Sequence, residues 1–238
     1  MPGSLVQDDD PQRAAQSSAP SWDLHFKAEG IIMPATTESI LDAAVDGGAS
    51  TLAVRRTVFH SMLAGTAINE ARISELTGLD PGTVKGTVDR LVAAGIATTD
   101  GAKGAQRLVD GAEGLTIRNS GHTIWMSGSE LHTWCAFDIV GIPAALGLDA
   151  TGSTHCPTCL TEIKLEVLKG EVVESEVAGW WPALSGGPVV EAFCPSASIF
   201  CNLNHLEAWR SATGARGTPR TLTELAQAGR TTWARFRA

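Results

Sequence analysis

At 238 residues and 43% hydrophobic composition, the chain is long enough for one large or two small domains with a real core. Its formal net charge of −8 argues against nucleic-acid backbones and anionic membranes as main partners. The longest apolar run, Ile139 to Leu148, contains Pro143 and two glycines and falls far short of the about 18 residues of a membrane span.

The opening stretch, MPGSLVQDDDPQR, is acidic and has no apolar core, so it is not a secretory signal. A cytoplasmic protein with no membrane partner is expected. Residues 1–35, rich in Asp, Ser, Pro, Gln and Ala, read as a flexible acidic extension, with some order near Trp22 to Phe26. Helices begin at about Glu38, where TESILDAAV carries apolar residues at helical spacing. LAVRRTVFHSMLAG repeats the pattern and stops at Gly65. A short helix then ends at Gly78. Asp80 stands as N-cap and Pro81 as the first residue of the next helix, with Val84, Val88, Leu91 and Val92 as its buried stripe and Gly95 at its end. IATTDGAKGAQRLV follows as a hairpin-like wing with Asp100–Gly101 as its turn.

This order is that of a winged helix-turn-helix, whose usual meaning is DNA binding. The charges speak against that use. Arg72, Lys85 and Arg90 face Glu70, Glu75, Asp80, Asp89 and Asp100, a net negative set where a DNA reader needs a positive face. The module is expected to be structural.

From about Leu115 strand-like runs dominate: LTIRNSGHTIWMSG, then EIKLEVL and EVVESEV joined at Gly170. ELHTWCAFDIVGIPAALG reads as a helix that starts near Cys135 and breaks around Pro143. LNHLEAWRSATG and TLTELAQAGRTTWARFRA read as closing helices. The expected fold is α+β: a helical, winged-helix-like domain over 36–114, then a mixed domain over 115–238 with a mostly antiparallel sheet.

All five cysteines lie between 135 and 201. An odd count without a signal sequence argues against a disulfide framework. Cys156-Pro-Thr-Cys159 is a C-x-x-C that, with Cys194 and Cys201, offers four zinc donors, but the second pair is spaced C-x6-C, unlike a zinc knuckle. Cys135 and Asp138 are more suggestive. On a helix, residues three apart share a face. Thiolates select soft metals, and an acid beside such a site can deliver a proton to a metal-bound group. Buried filler thiols and a surface Asp138 are the plainer alternative.

The segment LHTWCAFD, residues 131–138, resembles the W-C-A-L-D motif of the alkylmercury (organomercurial) lyases. The resemblance continues through Pro143, Ala144 and Leu146, through Ser153-Thr154-His155-Cys156, through AFCPSASIF (192–200) and through HLEAW (205–209). It covers about residues 115–238 and extends loosely to the winged-helix region. It implies protonolysis of a carbon–mercury bond, giving a hydrocarbon and Hg(II). Carried over by position, Cys135 and Cys194 are the mercury-binding thiolates, Asp138 shuttles the proton and Cys156 is structural. It also implies no cofactor, external small thiols for unloading Hg(II), and a mercuric reductase as acceptor.

This sequence departs from the family pattern at His132, where an aromatic is common, and at Pro195, where the family has a dispensable cysteine. Cys159, Cys201, Trp180–Trp181 and the loop SGGPVV (185–190) are particular to it. Trp134, Phe137, Trp180 and Trp181 are candidates to line an apolar pocket for the organic group. Two rival readings remain at this point: a cysteine-based metal sensor working through the winged helix, and a structural zinc protein using Cys156, Cys159, Cys194 and Cys201.

Overall fold

A computed structural model of the protein describes residues 48–237 except 103, 105, 106, 184 and 185. The expected extension over 1–35 and the expected helix from Glu38 lie outside the described residues. Helix α1 (Gly48–Leu63) turns Val54, Val58, Phe59 and Met62 inward, the set the periodicity predicts, and Gly65 follows with a φ of 67°. After the short strand β1 (Ile68–Asn69), helix α2 (Glu70–Thr77) is capped by Asn69 and ends on Gly78 in the left-handed region. Helix α3 (Pro81–Ala93) has Asp80 as N-cap, whose side chain accepts from the Thr83 N–H. Val84, Val88 and Leu91 are buried, whereas Val92 is half-buried at the edge of the stripe.

Strands β2 (Ala97–Thr99) and β3 (Leu108–Ala112) pair antiparallel. Asp100–Gly101 does not close a tight turn between them, since β2 ends at Thr99 and β3 begins only at Leu108, whose N–H the Asp100 carboxylate accepts. The tight turn lies one hairpin later. Ala112 pairs with Leu115 of β4 (Leu115–Thr116) across Glu113–Gly114, both with positive φ (54° and 90°), the pattern of a type I′ turn.

The sheet continues through β5 (Thr123–Met126), β6 (Ser129–Thr133), β7 (Ala150–His155), β8 (Glu162–Leu168) and β9 (Glu171–Val172). Nine strands run in the order β1-β3-β4-β6-β5-β7-β8-β9, with β2 on β3, and every pairing among the described residues is antiparallel. Strand β8 shows why one face is covered: Ile163, Leu165 and Val167 are buried while Glu162, Lys164 and Glu166 are exposed.

That covered face receives helix α4 (Ala136–Leu146), which packs on β5 to β8. The helix does not break at Pro143. It runs through it to Gly147, which caps it with a φ of 71°. Pro143 removes one N–H from an eleven-residue helix whose residues Ala136 to Ala145 are all buried, and that packing outweighs the lost bond. A second, three-stranded sheet, β11-β10-β12, is built from β10 (Ala178–Pro182), β11 (Ile199–Phe200) and β12 (Gly217–Arg220). Between its strands lie the short helix α5 (Val189–Ala192) and helix α6 (Leu203–Thr213). Helix α7 (Leu222–Thr232) lies against α4, and a final 3-10 turn (Ala234–Phe236) returns to α1 through Phe236 stacked on Phe59.

The fold is thus mixed α+β around antiparallel sheets. One apolar core runs from α1 through α4 to the small sheet. No helix among the described residues is long and apolar enough to cross a membrane.

Candidate active site

Cys135 closes β6 and opens α4. It is the N-cap, with extended backbone (φ −148°, ψ 170°), rather than a residue inside the helix. Three residues on, the Asp138 carboxylate reaches back and accepts the Cys135 N–H at 2.9 Å. This is a capping box with a thiol where Ser or Thr usually stands. The motif therefore aims both side chains into the same space, though by a cap rather than by a shared helix face.

Cys194 arrives from a different segment, just after α5. The Sγ atoms of Cys135 and Cys194 and a carboxylate oxygen of Asp138 all lie within 4.8 Å of one another, and all three residues are buried. Two sulfur donors and one acid, shut away from water, form a site suited to a thiophilic metal.

Electrostatics follow from that burial. Desolvation pushes the Asp138 carboxyl up to about 7, against the N–H groups of Cys135 and Trp134 and the Cys135 thiol, which favour its ionised form. Burial likewise raises the Cys135 thiol well above its ordinary value, and Cys194 and Asp138 reinforce the shift. The resting site is therefore proton-rich near neutrality.

The walls come from residues far apart in the chain. A cavity of ≈ 30 Å³ is lined by Trp134, Phe137, Asp138, Cys194, Phe193 and Trp233 among others. Gly114 forms one wall: a Cβ there would come within 2.9 Å of the Asp138 carboxylate. The turn holding Gly114 is fixed by its carbonyl accepting the Trp134 N–H at 2.8 Å and by the Glu113 carbonyl accepting Trp233 Nε1 at 2.8 Å. The α5 segment is fixed by the end of α3, where the Ala94 carbonyl accepts the Val189 N–H at 3.1 Å. The N-terminal helices thus hold the segment that carries Cys194. A larger open depression of ≈ 620 Å³, bordered by Ile68, Leu76 and Leu108, contains no cysteine or carboxylate.

Of the aromatic residues picked out from sequence, Trp134 and Phe137 line the cavity. Trp181 packs edge-on against Phe137 at 5.1 Å and against Phe193 at 4.9 Å, one layer behind. Trp180 turns the other way, onto Trp209 at 5.8 Å. Phe193, Trp233 and Gly114 were not legible as site residues.

Cys156 is buried elsewhere, its Sγ 3.5 Å from His205 Nδ1. It clusters with Cys159, Cys201 and His205, within 4.8 Å of one another, and Cys194 is not among them. The four-cysteine set weighed from sequence is therefore not brought together. His205 was overlooked, although Cys201-Asn-Leu-Asn-His205 is a C-x3-H spacing.

The alkylmercury lyase family model matches residues 115–234. An alkylmercury lyase from Pseudomonas putida is 33% identical over 104 residues, covering 41% of this chain and 48% of that protein. One from Streptomyces lividans is 32% identical over 97 residues, covering 40% and 43%. The chain thus spans about half the length of the relatives it matches. The crystal structure of the mercury-bound form of MerB2 superposes with a TM-score of 0.76 at 21% identity, over 84% of this chain and 98% of that one, and so shares its fold. With the family model matched over half of its length, the chain belongs to the alkylmercury lyase family.

Proposed function

We propose that the protein cleaves the carbon–mercury bond of organomercurials by protonolysis, releasing a hydrocarbon and leaving Hg(II) on two thiolates. The observation that carries this reading is the convergence of Cys135, Cys194 and Asp138 in one buried site. An organomercury cation enters and exchanges its ligand for the sulfur of Cys135, then for that of Cys194. The Cys135 proton leaves with the displaced ligand and the Cys194 proton passes to Asp138, so both sulfurs end up bonded to mercury. Asp138 is the adjacent base, and with its carboxyl pushed up to about 7 it takes such a proton and gives it back near neutral pH. Two sulfur donors load electron density onto mercury and weaken the Hg–C bond. A bare carbanion is a poor leaving group, so the proton from Asp138 reaches carbon as the bond breaks. One hydrocarbon leaves, and Hg(II) remains as a bis-thiolate. External small thiols then extract it, with a mercuric reductase as the downstream acceptor.

The ≈ 30 Å³ cavity has room for about one or two water-sized groups, which favours small alkyl substituents over aryl groups. The N-terminal helices are read as a winged-helix-like scaffold and not as a nucleic-acid reader. Three of their cations are paired with carboxylates, Lys85 with Asp89 at 2.6 Å, Arg72 with Glu75 at 2.6 Å and Arg107 with Glu70 and Asp89.

The test is release of methane from methylmercury, or benzene from phenylmercury, with excess small thiol. The wild type is expected to turn over, and Cys135→Ser, Cys194→Ser and Asp138→Ala to fall by about 100-fold or more. Folded wild type that releases no hydrocarbon would sink the reading.

A further inference from the structure

We propose that Cys156, Cys159, Cys201 and His205 form a tetrahedral zinc site, separate from the Cys135 cluster, that staples the two sheets together. The four donors come from two short stretches. Cys156 and Cys159 sit in the loop between β7 and β8, and Cys201 and His205 flank the Asn202 cap of α6. Their ligand atoms lie within 4.8 Å of one another. The separations match the edges of a zinc polyhedron. Zinc–sulfur and zinc–nitrogen bonds of about 2.3 and 2.0 Å imply S···S edges of about 3.8 Å and S···N edges of about 3.5 Å. Cys159 Sγ to Cys201 Sγ is 3.6 Å, and Cys156 Sγ to His205 Nδ1 is 3.5 Å.

The loop is also shaped as a metal knuckle. The backbone N–H groups of Cys201, Cys159 and Thr158 favour the charged form of the Cys156 sulfur. The turn is closed by the Leu160 N–H on the Cys156 carbonyl at 2.9 Å. Leu160 itself is 74% exposed and holds a φ of 59°. A large side chain in the left-handed region costs about 1 kcal/mol or more. Holding two sulfurs toward one point accounts for the strain. Thr158 Oγ1 donates to the His205 carbonyl at 2.7 Å, tying the loop to α6. Three thiolates with one imidazole in tetrahedral array select zinc. Mercury in the Cys135 site meets two thiols and a carboxylate instead.

The placement gives the ion a purpose. The stretch between Cys194 and Cys201 would be anchored at one end by zinc, so the segment bearing the second mercury ligand hangs from a metal-fixed post. The inference does not depend on the lyase reading.

The experiment uses the full chain, expressed with zinc in the medium and purified reduced without chelator. Metal content and Co(II) replacement are the readouts. One zinc per chain is expected in the wild type and in Cys135→Ser, with the Co(II) form showing intense visible bands of a tetrahedral thiolate site. The Cys159→Ser/His205→Ala double variant is expected to lose both signals, at a fold confirmed by circular dichroism. Its exposed and half-buried positions make survival of the fold the expected outcome, and the wild-type Co(II) spectrum decides the matter even without it. Reduced, folded wild type that holds no zinc, gives a weak octahedral Co(II) spectrum, binds iron in preference, or carries only a Cys159–Cys201 disulfide would overturn the proposal. So would zinc lost in Cys135→Ser and kept in the double variant.

Discussion

Asp138 is a carboxyl whose burial has a measurable consequence. In the folded chain its value is pushed from 3.8 up to about 7, so between those limits the native state holds a proton that the unfolded state has released. Stability therefore falls as pH rises through that window, and it is unaffected by this group below and above it. Asn in its place keeps an acceptor for the Cys135 N–H and cannot ionise. Asp138→Asn is expected to be more stable than wild type at pH 8, by roughly 4 kcal/mol at most, with the gap closing toward pH 4. Denaturant melts at the two pH values check this, and a gap that widens on acidification would refute it. At this scale the sequence was partly readable. Cys135 and Asp138 are close in the chain, so their joint placement is a local matter of capping. His205 was readable too, through its C-x3-H spacing, but pairing Cys194 with Cys201 hid it. Gly114 and Trp233 gave no local signal, because only the folded turn and the end of α7 bring them to Asp138.

Among the elements, α4 is the one that the sequence half-described. Its start at the cysteine motif and its stop at Gly147 follow from cap residues, whereas its passage through Pro143 follows from tertiary burial that no local rule contains. What makes that burial possible is the close meeting of α4 and α7. Gly141 and Gly229 face each other so nearly that a Cβ on Gly229 would collide with the Gly141 backbone. A Cβ on Gly141 would in turn come within 2.6 Å of the Trp233 ring. Both glycines have ordinary helical dihedrals, so small volume rather than backbone freedom is what they provide. Gly229→Ala is helix-favouring in isolation, by up to about 1 kcal/mol, yet it forces the helices apart. Overpacking of about 1–3 kcal/mol is expected to win. Thermal unfolding should show a lower Tm, and the displaced Trp233 should lower turnover as well. An unchanged or raised Tm would mean the two helices have slack that their contact does not suggest.

Across the whole molecule, the N-terminal helices and the thiolate site are one mechanical unit. The helix order and the antiparallel sheet were legible because they rest on periodicity and caps, whereas EVVESEV, read as a strand, is one only over Glu171–Val172. The tie between α1 and the wall of the site was not legible, since it joins two residues 58 apart: Arg55 of α1 and Glu113 of the tight turn, paired at 2.6 and 2.9 Å with both side chains buried. The same turn carries Gly114, which bounds Asp138, and its Glu113 carbonyl fixes Trp233. Replacing Arg55 by Met removes two charge-assisted bonds and leaves the Glu113 carboxylate buried without them, at a cost of about 3–5 kcal/mol. Turnover is expected to fall with stability, because the wall beside Asp138 shifts. Arg55→Met combined with Glu113→Gln removes both charges, and a pair replaced whole costs far less than a pair broken. The double variant should therefore regain most of the lost stability. If it regains turnover too, the pair acts by holding the turn in place. If it regains stability while turnover stays low, the geometry of the charged pair itself sets the position of Asp138. A single variant as stable and as active as wild type would show that the N-terminal helices do not brace the site.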